Sequence, residues 1–169
     1  MKRVRLLSWL LSAGVLSFTL ATVGAQVAQA QRPIRIFDLK CVKTSGDSYY
    51  YSSDDLSIGR ELYTSFLAIQ RRGSWTCQLP GGRASLRIEY GSADKDNKPP
   101  AKIDVYVDGN QVASHTGKEG IVNTMMVDVS NGKSLAIDIN CSRATNCDSG
   151  FYYFFWFHII PGARSPGSR

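Results

Sequence analysis

Three side chains could offer a flat apolar face to a ligand: Trp75 in SWTCQL, Tyr106 in KIDVYVDG and Trp156 in FYYFFWFHII. A ring laid against the apolar side of a pyranose, with a few planar donors and acceptors for its hydroxyls, is the chemistry of sugar recognition. Arg87 and Asp104 supply such polar groups, and Asp128 is a further candidate. Tyr106 stands out because strand alternation places it on the polar side beside Asp104. Tyr50 and Tyr51, from SYYYSSDD, are alternative platforms.

A second kind of chemistry is legible in GSADKDNKPP. Asp94, Asp96 and Asn97 put alternating oxygen ligands into one loop, a pattern that suits a structural calcium ion, although the twelve-residue frame and terminal Glu of an EF-hand are missing. No other cofactor is expected. Catalysis has little support, since the chain lacks a G-x-S-x-G elbow, an H-E-x-x-H helix and a phosphate-cradling glycine loop. Ser114, His115 and Thr116 are adjacent, but neighbours in a strand point to opposite faces and cannot form a nucleophile and base pair. What remains is a chance meeting of two carboxylates across a sheet at glycosidase spacing.

The elements that must position these groups follow an export signal. Lys2, Arg3 and Arg5 precede an apolar stretch from Leu6 to Val23, and Ala28, Gln29 and Ala30 end it in a small-x-small pattern. This is the layout of a secretory signal peptide over residues 1–30. Removing it turns twenty basic residues against fourteen acidic, a net +6, into seventeen against fourteen, or +3. No long basic run survives, so a nucleic-acid partner is not expected. The expected location is secreted, periplasmic or at the cell surface, with no membrane association after cleavage. Cys41, Cys77, Cys141 and Cys147 all lie in the exported part, where disulfides persist. Four cysteines allow three pairings. The short polar loop CSRATNC favours Cys141 with Cys147, which leaves Cys41 with Cys77.

Residues 31–160 read as one domain, with a Gly, Pro and Ser rich tail at 161–169. ASLRIEYG sets Leu86, Ile88 and Tyr90 against Arg87 and Glu89, and KIDVYVDG sets Ile103, Val105 and Val107 against Asp104 and Tyr106. Asp108 and Gly109 mark a hairpin turn, and Ser130 to Gly132 a second. Leu135, Ile137 and Ile139 share one face of a later strand. DDLSIGRELYTSFLAIQ reads as a short helical turn before a strand near Leu67. FYYFFWFHII holds seven of the eighteen aromatic residues in ten positions, too few to cross a bilayer as a helix. As a strand it places Phe151, Tyr153, Phe155, Phe157 and Ile159 on one face, and Tyr152, Phe154, Trp156, His158 and Ile160 on the other. Eight or so short strands between Gly, Asn, Asp and Pro turns point to an all-β antiparallel sandwich of jelly-roll type.

The segments GGRASLRIEYG, AKIDVYVDGNQVASHTG and VNTMMVDVSNGKSLAIDI carry a resemblance. With marks at Gly91, Asp94, Val105, Val107, Asp108, Gly109, Val127, Asp128, Val129, Ser130, Leu135 and Ile137, the chain resembles the carbohydrate-binding module often appended to glycoside hydrolases, a relative of the galactose-binding jelly rolls. The resemblance spans about half of the exported chain. It implies a galactose-binding-like sandwich and a non-catalytic carbohydrate-recognition domain whose partner is a glycan. Members commonly carry a His-bearing segment before the first of these strands, where this chain has YTSFLAIQRRG. The alternative is an extracellular structural or protein-interaction domain without a ligand pocket.

Overall fold

A computed structural model describes residues 32–162. The expected signal peptide lies outside the described residues, as does the tail beyond Gly162. Thirteen strands follow in order. The first six are β1 (Ile34–Arg35), β2 (Cys41–Gly46), β3 (Tyr49–Tyr51), β4 (Asp55–Ile58), β5 (Glu61–Thr64) and β6 (Leu67–Ile69). The rest are β7 (Gly73–Gln78), β8 (Ala84–Ser92), β9 (Ala101–Val107), β10 (Asn110–Thr116), β11 (Asn123–Asp128), β12 (Ser134–Cys141) and β13 (Tyr152–Pro161). No helix among the described residues is long and apolar enough to cross a membrane.

One sheet runs β11-β8-β13-β6-β3, with β1 pairing β13, and the other runs β10-β9-β12-β7-β2. All their pairings are antiparallel. The period-two pattern explains the layering. Leu86, Ile88 and Tyr90 from one sheet meet Ile103, Val105, Leu135, Ile137 and Ile139 from the other in a single buried core. The β9–β10 turn uses Asp108 and Gly109 with φ of 50° and 82°, the backbone such two-residue hairpins require. Asp108 also accepts the N–H groups of Lys133 and Ser134 at 3.0 and 2.9 Å, which ties this hairpin to the next turn.

Both disulfides form as the loop argument favours. Cys41 and Cys77 are register partners on β2 and β7, and Cys141–Cys147 closes the loop between β12 and β13.

Two expectations are corrected. DDLSIGRELYT holds no helical turn: it is the hairpin β4–β5, because Gly59 and Arg60 both take positive φ, 59° and 70°, and turn the chain back on itself. The simple alternation assigned to FYYFFWFHII also fails. Phe155 is an extra residue in the pairing of β13 with β8, a bulge between Phe154 and Trp156. Tyr152, Phe154, Phe157 and Ile159 therefore face the core together, while Trp156 and His158 stay on the outer side.

Candidate functional site

The outer face of the first sheet holds the densest group of chemistry-bearing side chains. Register sets Trp156 opposite Glu89 and His158 opposite Arg87. The Arg87 guanidinium lies 5.3 Å from the Trp156 ring centroid, a cation–π distance. Its Nε donates to Glu89 Oε1 at 3.0 Å, and its Nη2 reaches the same oxygen. The rings of Trp156 and His158 sit 4.3 Å apart, with Phe66 beyond at 5.7 Å from His158. Arg87, Trp156 and His158 are half-buried. Among the described residues, Trp156 Nε1 is buried and has no hydrogen-bond partner. Burial, followed by the Arg35 guanidinium, pushes the His158 imidazole below its ordinary 6.5 against a weaker opposite pull from Asp38. The neutral form is thereby favoured, and its Nδ1 accepts the Phe157 N–H at 3.0 Å, which leaves Nε2–H as the donor.

The hairpin β4–β5 covers the adjoining part of this face, where Leu56 and Ile58 pack with Ala68 and Tyr153. A Cβ on Gly91 would come within 2.8 Å of Ile58 Cδ1, so glycine is what lets the hairpin lie this close. Asp94 pins the hairpin tip by accepting from Ser57 Oγ at 2.7 Å, Gly59 N at 2.8 Å and Arg60 N at 3.2 Å. The Ser57 hydroxyl first, and then the two backbone N–H groups, hold its carboxyl below the ordinary 3.8. Asp96 instead turns toward Phe151 N at 3.4 Å, and Asn97 ends a short 3-10 turn in the left-handed region. Two of the three oxygen donors expected for calcium, Asp94 and Asp96, thus serve different neighbours. Among the described residues no group of three or more His, Cys, Asp and Glu is placed to hold a metal ion.

Trp75, Asp104 and Tyr106 lie elsewhere. Trp75 is only 3% exposed; it sits across Gly73, with Phe37 and Tyr49 at 5.5 and 6.1 Å. Asp104 and Tyr106 occupy the outer face of the second sheet. Asp104 meets Lys102 at 3.0 Å and Gln111 at 3.1 Å, and register sets it opposite Asp138. Burial raises the Asp104 carboxyl, but hydrogen bonds from Ser114 and Lys102 outweigh it and hold the group below 3.8. A glycosidase acid needs the opposite shift.

Of the five expected ligand-binding residues, only Arg87 and Trp156 meet at the aromatic face. Glu89 and His158 join them without having been singled out as ligands. Alternation with Arg87 could have found Glu89.

At the end of the sandwich that carries the Cys141–Cys147 loop, Lys98 is 3% exposed. Its ammonium donates to the Cys147 carbonyl and lies 4.6 Å from the Tyr152 ring centroid. Beside it, Asn97, Glu119, Arg143 and Asn146 line a polar pocket of about 270 Å³.

No family model matches the sequence, and no curated protein resembles it closely enough to count. Solved structures do. The chain superposes on the second CBM51 module, solved with the INT domains and GlcNAc, of Clostridium perfringens ZmpB with a TM-score of 0.60 at 15% identity, covering 78% of this chain and 32% of that one. Tandem CBM51 modules of the Streptococcus pneumoniae SP3-BS71 family 98 glycoside hydrolase give 0.58 at 11% identity, covering 76% and 47%. A CBM51 from Clostridium perfringens GH95, in complex with methyl-galactose, gives 0.57 at 9% identity, covering 76% and 99%. The chain thus spans about a third of the length of the ZmpB structure. At these identities the likeness establishes the fold alone: an all-β antiparallel sandwich similar in shape to the CBM51 modules.

Proposed function

We propose that this chain is an exported, non-catalytic glycan-recognition domain that binds through the outer face around Trp156. The observation that carries the reading is the Arg87–Trp156 pair, with Glu89 and His158 beside it on the same face of the sheet. The indole offers an apolar surface for a sugar ring, while the guanidinium, carboxylate and neutral imidazole offer planar donors and acceptors for hydroxyls. The fold supports the reading because the superposed modules of this shape were solved with GlcNAc and with methyl-galactose. Export is supported by the leader pattern of residues 1–30 and by two disulfides, which persist in oxidising compartments.

A glycan array followed by calorimetry on the purified chain tests this. Saturable binding that falls on Trp156→Ala supports it. Absence of binding to every glycan on a broad array moves the reading to an extracellular protein-interaction or structural domain.

A further inference from the structure

The two sheets are sealed along one lateral side and open along the other. At the β10–β11 side, Met125 and Val127 are buried and the Tyr90 hydroxyl is hydrogen-bonded to His115 Nδ1 at 2.8 Å. At the β2–β3 side, side chains of inward register stay open. Tyr51 pairs with fully buried Leu67 yet is 64% exposed, and Lys43 pairs with buried Trp75 yet is exposed. Between them lies a cleft of about 510 Å³ lined by Phe37, Leu39, Lys43, Ser48, Tyr49 and Trp75. That volume lies within the range of roughly 300–1,000 Å³ found for small-molecule sites.

The lining combines two features. Phe37 and Tyr49 stack at 3.9 Å and 19°, with Trp75 5.5 Å from Phe37, so the cleft is walled by aromatic rings. At the mouth, Lys43 Nζ lies 3.4 Å from the Ser48 hydroxyl, and among the described residues no carboxylate is within ion-pair distance of it. An ammonium without a carboxylate partner, in a cleft lined by aromatic rings, complements a ligand with an apolar face and a negative charge.

We propose that this cleft is a second binding site, separate from the Trp156 face, and that it takes a uronic acid residue of an acidic saccharide. The sugar ring lies against Tyr49, its carboxylate pairs with Lys43, and Ser48 bonds a hydroxyl. This inference rests on the glycan-recognition reading above.

The test is calorimetric titration of the full disulfide-bonded chain with tri-galacturonate, with a hyaluronan tetrasaccharide, and with their methyl esters. The expected result is saturable binding of at least one acid, weaker binding of its ester, a loss of about tenfold or more, equivalent to ~1.4 kcal/mol, in Lys43→Gln, and a smaller loss in Ser48→Ala. Lys118→Gln, an exposed ammonium in the connection from β10 to β11 on the opposite lateral side, should leave this affinity unchanged. Lys43 and Ser48 are both exposed, so unchanged melting of these variants separates lost binding from lost folding. An ester that binds as tightly as its acid, or affinity that survives both cleft variants, overturns the proposal. If neutral glycans bind and neither acid does, the cleft proposal fails while the glycan reading stands; if no glycan of either kind binds, both fail.

Discussion

Arg87 and Trp156 are not register partners, yet the guanidinium comes within 5.3 Å of the indole centroid, because Arg87 reaches diagonally from the position opposite His158. The same side chain is held from behind by Glu89. Its plane is therefore oriented before any ligand arrives, which reduces the ordering cost of binding.

Replacing Trp156 by Ala should weaken binding of a neutral glycan by about tenfold or more, the loss of an aromatic face beyond simple area. Arg87→Ala should cost less, about two- to fivefold, in line with a cation–π contact of ~0.5–1 kcal/mol. Calorimetry on both variants checks the order; equal or reversed losses would place the ligand elsewhere.

Gly73 is set by close approach rather than by backbone angle. A Cβ there would lie 1.9 Å from the Trp75 ring, inside the core. Gly73→Ala should destabilise the domain by about 1–3 kcal/mol, the usual cost of overpacking. Urea unfolding at constant m-value measures it, and an unchanged midpoint would mean that Trp75 can move.

The two disulfides close loops of different length, with sequence separations of 36 and 6. On the chain-entropy account Cys41–Cys77 contributes about 3.8 kcal/mol and Cys141–Cys147 about 2.4 kcal/mol. Replacing each pair by Ser should lower stability in that order. Denaturant midpoints of the two double variants report the difference.

His158 gives a pH dependence of defined sign. Its folded pKa is depressed below 6.5 by burial and then by Arg35, so the unfolded chain takes the proton first as the pH falls. Stability linked to this group is intact above pH 6.5 and is lost as the pH drops through the folded value. His158→Phe should flatten the urea midpoint between pH 7.5 and 5.5 relative to the parent. An NMR titration with a His158 midpoint above 6.5 would contradict the packing described.

Asp94 acts as a latch on the β4–β5 hairpin. Asp94→Ala removes the acceptor for Ser57, Gly59 and Arg60, and amide exchange across β4 and β5 should speed up by about tenfold or more while β8 and β9 keep their protection. Because its folded carboxyl titrates below 3.8, the latch holds above that pH and loosens only as the pH falls through the lower folded value. Uniform acceleration over the whole chain would argue against a local latch.

The strands from Ala84 onward were legible because one face of each is buried and the other is wet, so alternation carries the signal at Leu86, Ile88, Ile103 and Leu135. The earlier half was harder for a physical reason. β4 and β5 pack on the outer face of a sheet rather than in the main core, and positive φ at a non-glycine residue, Arg60, leaves little trace in the sequence. The candidate site was half legible. Trp156 and Arg87 have side chains that announce binding chemistry, but their meeting depends on a bulge at Phe155 that no alternation count contains. Trp75 has the same chemistry and lies in the core, a matter of which strand face meets the opposite sheet. The cleft beside it was missed, because an inward-facing residue such as Tyr51 is expected to be covered, and its exposure depends on how far the two edge strands stand apart.

The extra residue in β13 also determines where along the strand the Trp156 face tolerates a change of length. Deletion of Phe155 itself would leave Phe154 followed directly by Trp156, in strict alternation and with every face kept. Deletion of a single residue after the bulge, such as Phe157, would instead turn the rest of the strand over. The imidazole would then point into the hydrocarbon interior, and Ile159 out to water. Composition would barely change. The bulge is thus the one place in this strand where a residue can be lost without exchanging inside for outside.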